Sequence, residues 1–313
     1  MGPAVKAVRV PSFAKVNLGL EVLGLRADGT HELRTLFQAI DLRDEIELRP
    51  SVRTGEVTVA CDHPDVPLDE GNLALRAVLE LRRYAGLSHG VALHIHKRIP
   101  VAGGLGGGSS NAAAVLLALD RAWHLKLGPT GLLPLARRLG ADVPFFLTGG
   151  TALGIGRGDE VYPLWRQLRG HLVLVDPGQP VSTAAVFRRL DQSLTPRENS
   201  NTIYRFVSRD LEGQAAYRLL TNDLEQAALQ EVPDLAVKLT QVRDVLVRRG
   251  ARLAALSGSG STYFGLFDSA AGARVAQTAL KDSGFDAVGA RTVSLEHYRR
   301  AFQLPGASAG RNG

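Results

Sequence analysis

Pro100–Ala114 reads P-V-A-G-G-L-G-G-G-S-S-N-A-A-A, five glycines in six positions running straight into an alanine-rich stretch. With no Cβ in the way, glycine lets backbone N–H groups approach a bulky anion and takes up positive φ without strain. Ser109, Ser110 and Asn111 are expected to open a helix, whose first N–H groups lack an intrahelical partner and whose dipole is positive at that end. Such a start binds phosphate. Upstream, Val91, Leu93 and Ile95 alternate with Ala92, His94 and His96, the pattern of a half-buried strand. The predicted order is strand, glycine loop, helix. A glycine-rich connector ahead of a buried helix is the competing reading.

Two better-known phosphate motifs fail here. No Lys-Ser or Lys-Thr follows the glycines, as a P-loop requires, and a G-x-G-x-x-G frame begun at Gly104 puts Ser109 where its last glycine belongs. A different kind of phosphate loop is implied.

The chain has 313 residues, long enough for two domains, and 45% of them are hydrophobic, enough for a real core. Its longest apolar run, Ala112 to Leu119, falls far short of the ~20 residues needed to span a bilayer. The opening M-G-P-A-V-K has no hydrophobic targeting region, and Lys6 stands where a myristoylation signal wants Ser or Thr. A soluble, cytoplasmic protein is expected, with no membrane partner. A single cysteine, Cys61, excludes an internal disulfide or a cysteine metal cluster and is expected to be a small buried hydrophobe. The net charge of +6 fits either nucleic acid or a polyanionic small substrate. Basic pairs such as Arg82-Arg83, Arg137-Arg138, Arg188-Arg189 and Arg248-Arg249 are scattered rather than blocked together, as on solvated helix faces.

Alternation predicts short strands at Val8–Val10, Asn17–Val22, Thr35–Leu42, Asp44–Arg49 and Val57–Ala60, with a break at Arg26–Gly29. Helical spacing runs from Asn72 to Tyr84, and a further helix over Thr130–Leu139 ends at Gly140. A second unit starts with a strand at His171–Val175. It continues through a polar loop at 191–202, helices at Tyr217–Leu229 and Val232–Arg249, and a strand at Ala251–Leu256. S-G-S-G-S then leads into the strand T-Y-F-G-L-F, and helix Ala270–Ser283 and strand Asp286–Thr292 follow. The expected division is 8–163 and 164–305, with 306–313 as a frayed tail.

Four segments together resemble the GHMP small-molecule kinases. They are P-S-F-A-K-V-N-L-G-L from Pro11, R-A-D-G-T-H-E-L-R-T-L-F from Arg26, the glycine loop continuing to G-A-D-V-P-F-F at Gly140–Phe146, and N-D-L-E at Asn222 with L-S-G-S-G-S-T-Y-F at Leu256. The loop alone indicates only the superfamily; the Lys-Val-Asn and Asp-Gly-x-His segments are similar to the branch that acts on a diphosphocytidyl methylerythritol. The resemblance implies an α+β fold with a first domain like domain 2 of ribosomal protein S5, a ferredoxin-like second domain, and an active site in the cleft between them. It further implies ATP as co-substrate, Mg²⁺, and phosphoryl transfer to the 2-hydroxyl of 4-diphosphocytidyl-2-C-methyl-D-erythritol in the non-mevalonate isoprenoid route. The expected partners are these small molecules and no nucleic acid, the chain being a monomer or weak homodimer. The alternatives are a GHMP kinase for another alcohol, of the homoserine or mevalonate type, and a noncatalytic nucleotide- or RNA-binding module, the latter suggested by a pI near 9.7.

Carried onto this chain, the resemblance makes Asp142 the base that takes the acceptor hydroxyl's proton and Lys15 the cation that stabilises charge developing on the attacking oxygen. Read without it, Asp142 is a turn residue before Pro144 and Lys15 a strand-edge lysine. Val101, Ala102, Gly103, Gly104, Leu105, Gly106, Gly107, Gly108, Ser109, Ser110 and Asn111 form the expected ATP cradle, Ser109 or Ser110 touching Mg²⁺, with Asn72 and Lys97 at the adenine. Asn17, His31 and Phe187 are expected at the acceptor, His31 hydrogen-bonding the cytosine. Ser257, Gly258, Ser259 and Gly260 face substrate phosphates in this reading, or make a hairpin turn. The pattern departs at Thr30, where the family usually stacks a tyrosine on the cytosine, a contact worth ~1–3 kcal/mol. His94 and His96 share one face and read either as ordinary strand residues or as a metal pair with no third ligand evident.

Overall fold

The computed structural model describes residues 7–51, 55–192, 201–208, 217 and 219–303. The first half holds β1 (Val8–Leu25), β2 (His31–Ser51), β3 (Val57–Cys61), α1 (Leu73–Ala85), β4 (Gly90–His96), α2 (Gly107–Ala122), α3 (Gly128–Leu139), α4 (Val143–Thr148), β5 (Thr151–Gly156) and β6 (Glu160–Pro163). Six strands form one sheet in the order β3-β4-β2-β5-β6, with β1 paired to β2. Only β3 and β4 run parallel. β2 organises the sheet because it is long: Leu33–Gln38 pair with β5, Glu45–Ser51 pair with β4, and β1 runs antiparallel along its whole length.

The four short strands expected in this region are therefore two long ones. Register shifts between Phe13 and Ala14, Asn17 and Gly19, and Val22 and Gly24 absorb the irregular alternation that made them look broken. The turn at 26–30 is the real break, closed by Arg26 N donating to Thr30 O.

The second half holds β7 (His171–Asp176), α5 (Thr183–Asp191), α6 (Thr202–Ser208), α7 (Leu224–Glu231), α8 (Pro233–Arg248), β8 (Leu253–Leu256), β9 (Tyr263–Phe267), α9 (Ala270–Asp282), β10 (Asp286–Arg291) and α10 (Leu295–Ala301). Its four-stranded sheet is antiparallel throughout, in the order β10-β7-β9-β8. The helix expected over Tyr217–Leu229 is not continuous: Tyr217 is helical, residues 219–223 are not, and a separate helix starts at Leu224, because Asn222 and Asp223 are spent on joining the halves. Leu20 N donates to Thr221 O, Asp223 N donates to Leu20 O, and Asp223 Oδ2 accepts from Val22 N.

α2 passes through the first core, its residues from Ser110 to Asp120 all buried, and alanine at 112–114 lets its neighbours approach closely. α3 ends at Gly140 as expected, but that glycine is extended (φ 171°) rather than left-handed. α10 returns to the first core: Tyr298 and Phe302 pack there beside Phe13, and a Cβ on Gly149 would lie 2.2 Å from the Tyr298 ring. Cys61 is half-buried rather than buried, and desolvation pushes its thiol pKa up. Among the described residues no helix is long and apolar enough to cross a membrane. The expected tail 306–313 and most of the polar loop at 191–202 lie outside the described residues.

Candidate active site

β4 leads through residues 97–106 into α2, so strand, loop and helix follow in the order the sequence predicts. The helix opens two residues earlier than expected, at Gly107, and its N-cap Gly106 is left-handed (φ 72°) with no side chain capping it. That leaves the amide end of α2 facing open space. Val101 to Ser109 and Asn111, with Asn72 and Lys97, line one cavity of about 340 Å³. Glycine is required at two of these positions. A Cβ on Gly104 would stand 2.1 Å from Ser257 O, and one on Gly106 would lie 2.8 Å from the Phe146 ring and 3.2 Å from Lys15 Cε.

Ser110 is the exception, since it is buried and does not reach the cavity. Its Oγ accepts from Ser12 Oγ at 2.8 Å. In the orientation that satisfies both ends of its amide, Asn111 donates to Ser12 Oγ (2.6 Å), Gly107 O (3.2 Å) and Asp44 Oδ2 (3.1 Å). Asp44 is fully buried, accepts from the backbone N–H of Arg98 and Ile99, and pairs with Lys97 Nζ at 3.0 Å. Lys97 also donates to Ile99 O. Lys97 is thus a brace behind the loop as well as part of the cavity wall. Asn72 caps α1, its Oδ1 accepting from Ala74 N and its amide donating to Pro67 O. Neither Ser12 nor Asp44 was legible as part of this site, because the partners of both lie more than fifty residues away.

A second, larger cavity of about 760 Å³ opens on the other side of the loop. It is lined by Lys15, Asn17, His31, Asp142, Phe187, Gly258 and Ser259, together with Thr30, Arg157, Thr183, Arg188 and Asp191. The two cavities share Gly104, Gly106 and Ser109. Lys15 is buried on β1, which rules out the strand-edge reading. Its Nζ donates to Asn17 Oδ1 (2.6 Å) and Gly104 O (2.9 Å) and lies 3.3 Å from Asp142 Oδ2. Asn17 in turn donates to Thr35 Oγ1 at 2.8 Å. Asp142 occupies the N-cap of α4, yet its side chain makes no capping bond. Asp there ordinarily accepts from the helix; here the carboxylate points to Lys15 and, one-third exposed, to the cavity.

The S-G-S-G-S segment is the β8–β9 hairpin turn, with Ser257 N donating to Thr262 O and Gly260 N to Ser257 O. Gly258 and Ser259 face the acceptor cavity, whereas Ser257 and Gly260 do not. The reason is that Ser257 Oγ is turned back to donate to Gly104 O at 3.0 Å. His31 stacks on Phe187 with ring centroids 4.6 Å apart, and its Nε2 lies 2.7 Å from Asp191 Oδ1. Thr30 Oγ1 donates to Asp28 Oδ1 and contributes no ring. Thr183, Arg157, Arg188 and Asp191 had no sequence motif to mark them; they arrive through the fold.

With this geometry in hand, comparison with known proteins decides the family. Residues 72–150 match the GHMP kinases N terminal domain and residues 213–285 the GHMP kinases C terminal domain. The 4-diphosphocytidyl-2-C-methyl-D-erythritol kinase of Gloeobacter violaceus is 42% identical, over 84% of this chain and 86% of that one. The enzyme of that name from Geobacter metallireducens is also 42% identical, over 89% and 96%. The chain belongs to this family of GHMP kinases. A crystal structure of 4-(cytidine 5'-diphospho)-2C-methyl-D-erythritol kinase superposes with a TM-score of 0.73 at 36% identity, covering 91% of this chain and 99% of that one. A homoserine kinase from Cytophaga hutchinsonii superposes equally well, with a TM-score of 0.74 over 94% and 97%, but at 20% identity it speaks for the fold alone. The two-domain α+β architecture expected from the motifs is therefore the fold observed.

Proposed function

We propose that the protein transfers the γ-phosphoryl group of ATP to the 2-hydroxyl of 4-diphosphocytidyl-2-C-methyl-D-erythritol. The observation that carries this reading is the meeting of two cavities at Gly104, Gly106 and Ser109, with Lys15 and Asp142 on the acceptor side. ATP laid in the first cavity would rest its phosphates on the bare amides of 104–108 and the start of α2, where backbone donors and helix dipole favour negative charge. The acceptor alcohol, entering from the second cavity, meets Asp142, which takes its proton. Lys15, already held by Asn17 and Gly104, offsets the negative charge that develops on the attacking oxygen.

Mg²⁺ prefers oxygen ligands and usually keeps several waters beside nucleotide phosphates. The Ser109 hydroxyl at the junction suits it, whereas Ser110 is spent on Ser12. Bound with ATP, the ion would neutralise phosphate charge. Arg157 and Arg188 give the acceptor cavity the positive charge a diphosphate needs, and Phe187 offers one face for a base. Gly258, Ser259 and Asn17 remain to orient the sugar alcohol.

The test is release of ADP from ATP only when the diphosphocytidyl alcohol is supplied, alongside homoserine and mevalonate as alternative acceptors. Turnover with either of those and none with the cytidylyl substrate would overturn the substrate assignment while leaving the kinase reading intact. Salt-sensitive RNA binding without ADP release would overturn both.

A further inference from the structure

On the outer face of the first sheet, at residues that line neither cavity, the register brings three metal-ligating side chains together. β3 runs parallel to β4 with Ala60 beside His94 and Cys61 beside Ile95, so Asp62, the next residue, comes alongside His96. His94 and His96 project from the same face of β4 and their rings stack with centroids 4.4 Å apart. His96 Nδ1 lies 3.6 Å from Asp62 Oδ2. One ligand atom from each of the three residues falls within 4.8 Å of the others. Asp62 is the third group that the sequence did not reveal: it is more than thirty positions from the histidines and no periodicity links it to them.

The carboxylate is already aimed. Its Oδ1 accepts from Lys97 N at 2.7 Å, which leaves Oδ2 toward the imidazoles. That hydrogen bond is the main reason its pKa is held below the ordinary aspartate value. On the other side of β4, Glu45 stands opposite His96 and Glu47 opposite His94. Both are ion-paired, Glu45 to Arg9 and Glu47 to Arg9 and Arg49, so they neither compete for the histidines nor complete the ligand set.

We propose that Asp62, His94 and His96 bind one transition-metal dication of the Zn²⁺, Co²⁺ or Ni²⁺ class, at a site separate from the nucleotide. Two imidazoles and a carboxylate suit these borderline ions, with a fourth position left to water. They do not suit Mg²⁺, which takes oxygen. Metal–ligand distances near 2.1 Å in a tetrahedral site bring ligand atoms to ~3.4 Å apart. The half-exposed histidines reach that by rotating about their side-chain bonds, with no change in the strand pairing. An ion here ties the end of β3 to the end of β4, at the residue before Lys97, where the chain leaves the sheet for the glycine loop.

The experiment uses the tag-free chain in excess Mg²⁺, titrated with Zn²⁺ by calorimetry and with Co²⁺ by visible absorption. The expected result is one ion per chain, with the visible bands of nitrogen-ligated Co²⁺. The double variant His94→Ala/His96→Ala should lose more than about tenfold in Zn²⁺ affinity, together with the Co²⁺ bands, while retaining alcohol-dependent ADP release. Asp62→Asn keeps the acceptor for Lys97 N but removes the charge, and should weaken Zn²⁺ binding by about tenfold. Absence of stoichiometric Zn²⁺ uptake by the wild-type chain overturns the proposal. So does equal affinity in the wild type and the double histidine variant.

Discussion

Lys15 Nζ lies 3.3 Å from Asp142 Oδ2, although the two residues come from the first strand and from the turn before α4. The contact is asymmetric: the lysine side chain is 4% exposed and the carboxylate 33%. The cation is fixed in the protein and the anion looks into the cavity, which is the arrangement a proton acceptor for an incoming hydroxyl needs. Asp142→Asn keeps the size of the side chain and removes its basicity, so kcat should fall by about two to four orders of magnitude. ATP affinity, measured by equilibrium titration, should be unchanged. Turnover close to that of the wild type would remove Asp142 from the reaction.

Gly104 and Gly108 belong to the same run of glycines yet differ in what surrounds them. At Gly104, with φ +73°, a methyl group would meet Ser257 O at 2.1 Å, so Gly104→Ala must shift the hairpin of the other half. A loss of ~1–3 kcal/mol is expected, read as a lowered Tm. At Gly108 nothing comes closer to a Cβ than Leu73 Cδ1 at 3.7 Å, and Gly108→Ala should leave Tm close to the wild-type value. Equal effects in thermal unfolding would contradict this picture of the loop.

Thr30 lines the acceptor cavity but offers no ring opposite Phe187. Thr30→Tyr should lower KM for the cytidylyl substrate by about tenfold, the equivalent of ~1.4 kcal/mol of base stacking, with kcat little altered. Phe187→Ala should raise KM. Steady-state kinetics on the two variants decide the matter. No change in KM for either would mean that the base binds elsewhere.

Glu225 carries a pH dependence of stability. It accepts from Leu256 N and from Tyr263 Oη, but burial outweighs these bonds and raises its pKa above the ordinary 4.5. Below 4.5 both folded and unfolded chains hold the proton. As pH rises past 4.5 the unfolded chain releases it first, so this residue's contribution to stability falls until the folded carboxyl ionises as well. Glu225→Gln keeps an acceptor for Leu256 N and cannot ionise. Denaturant unfolding from pH 4.5 to neutrality should therefore show the variant gaining on the wild type as pH rises, and parallel curves would refute the assignment.

Much of this site is local in sequence, and that part was legible. The glycine loop, the strand before it and the Asp142 turn are each continuous segments whose chemistry follows from neighbouring residues. Motif reading placed Asp142, Lys15, Asn17 and His31 around one cavity, where the fold brings them. What escaped was set by long-range packing. Nothing adjacent to Ser12 or Asp44 signals that they fix Asn111 and Lys97, and Ser110 looked equivalent to Ser109 until Ser12 claimed it. The long β1 and β2 were missed for a related reason, since irregularities in their pairing disturb the period-two pattern without ending the strands. α10 carries an ordinary helix signal, Ser294 accepting from His297 N at its start, but its docking depends on the bare backbone at Gly149.

Gly104 O accepts from Lys15 Nζ at 2.9 Å and from Ser257 Oγ at 3.0 Å, so a single carbonyl is gripped by side chains from both halves of the molecule. Swinging the halves apart to admit reactants would break this clasp and set the ammonium loose. The position of the ammonium is therefore tied to the contact between the halves as well as to its own strand.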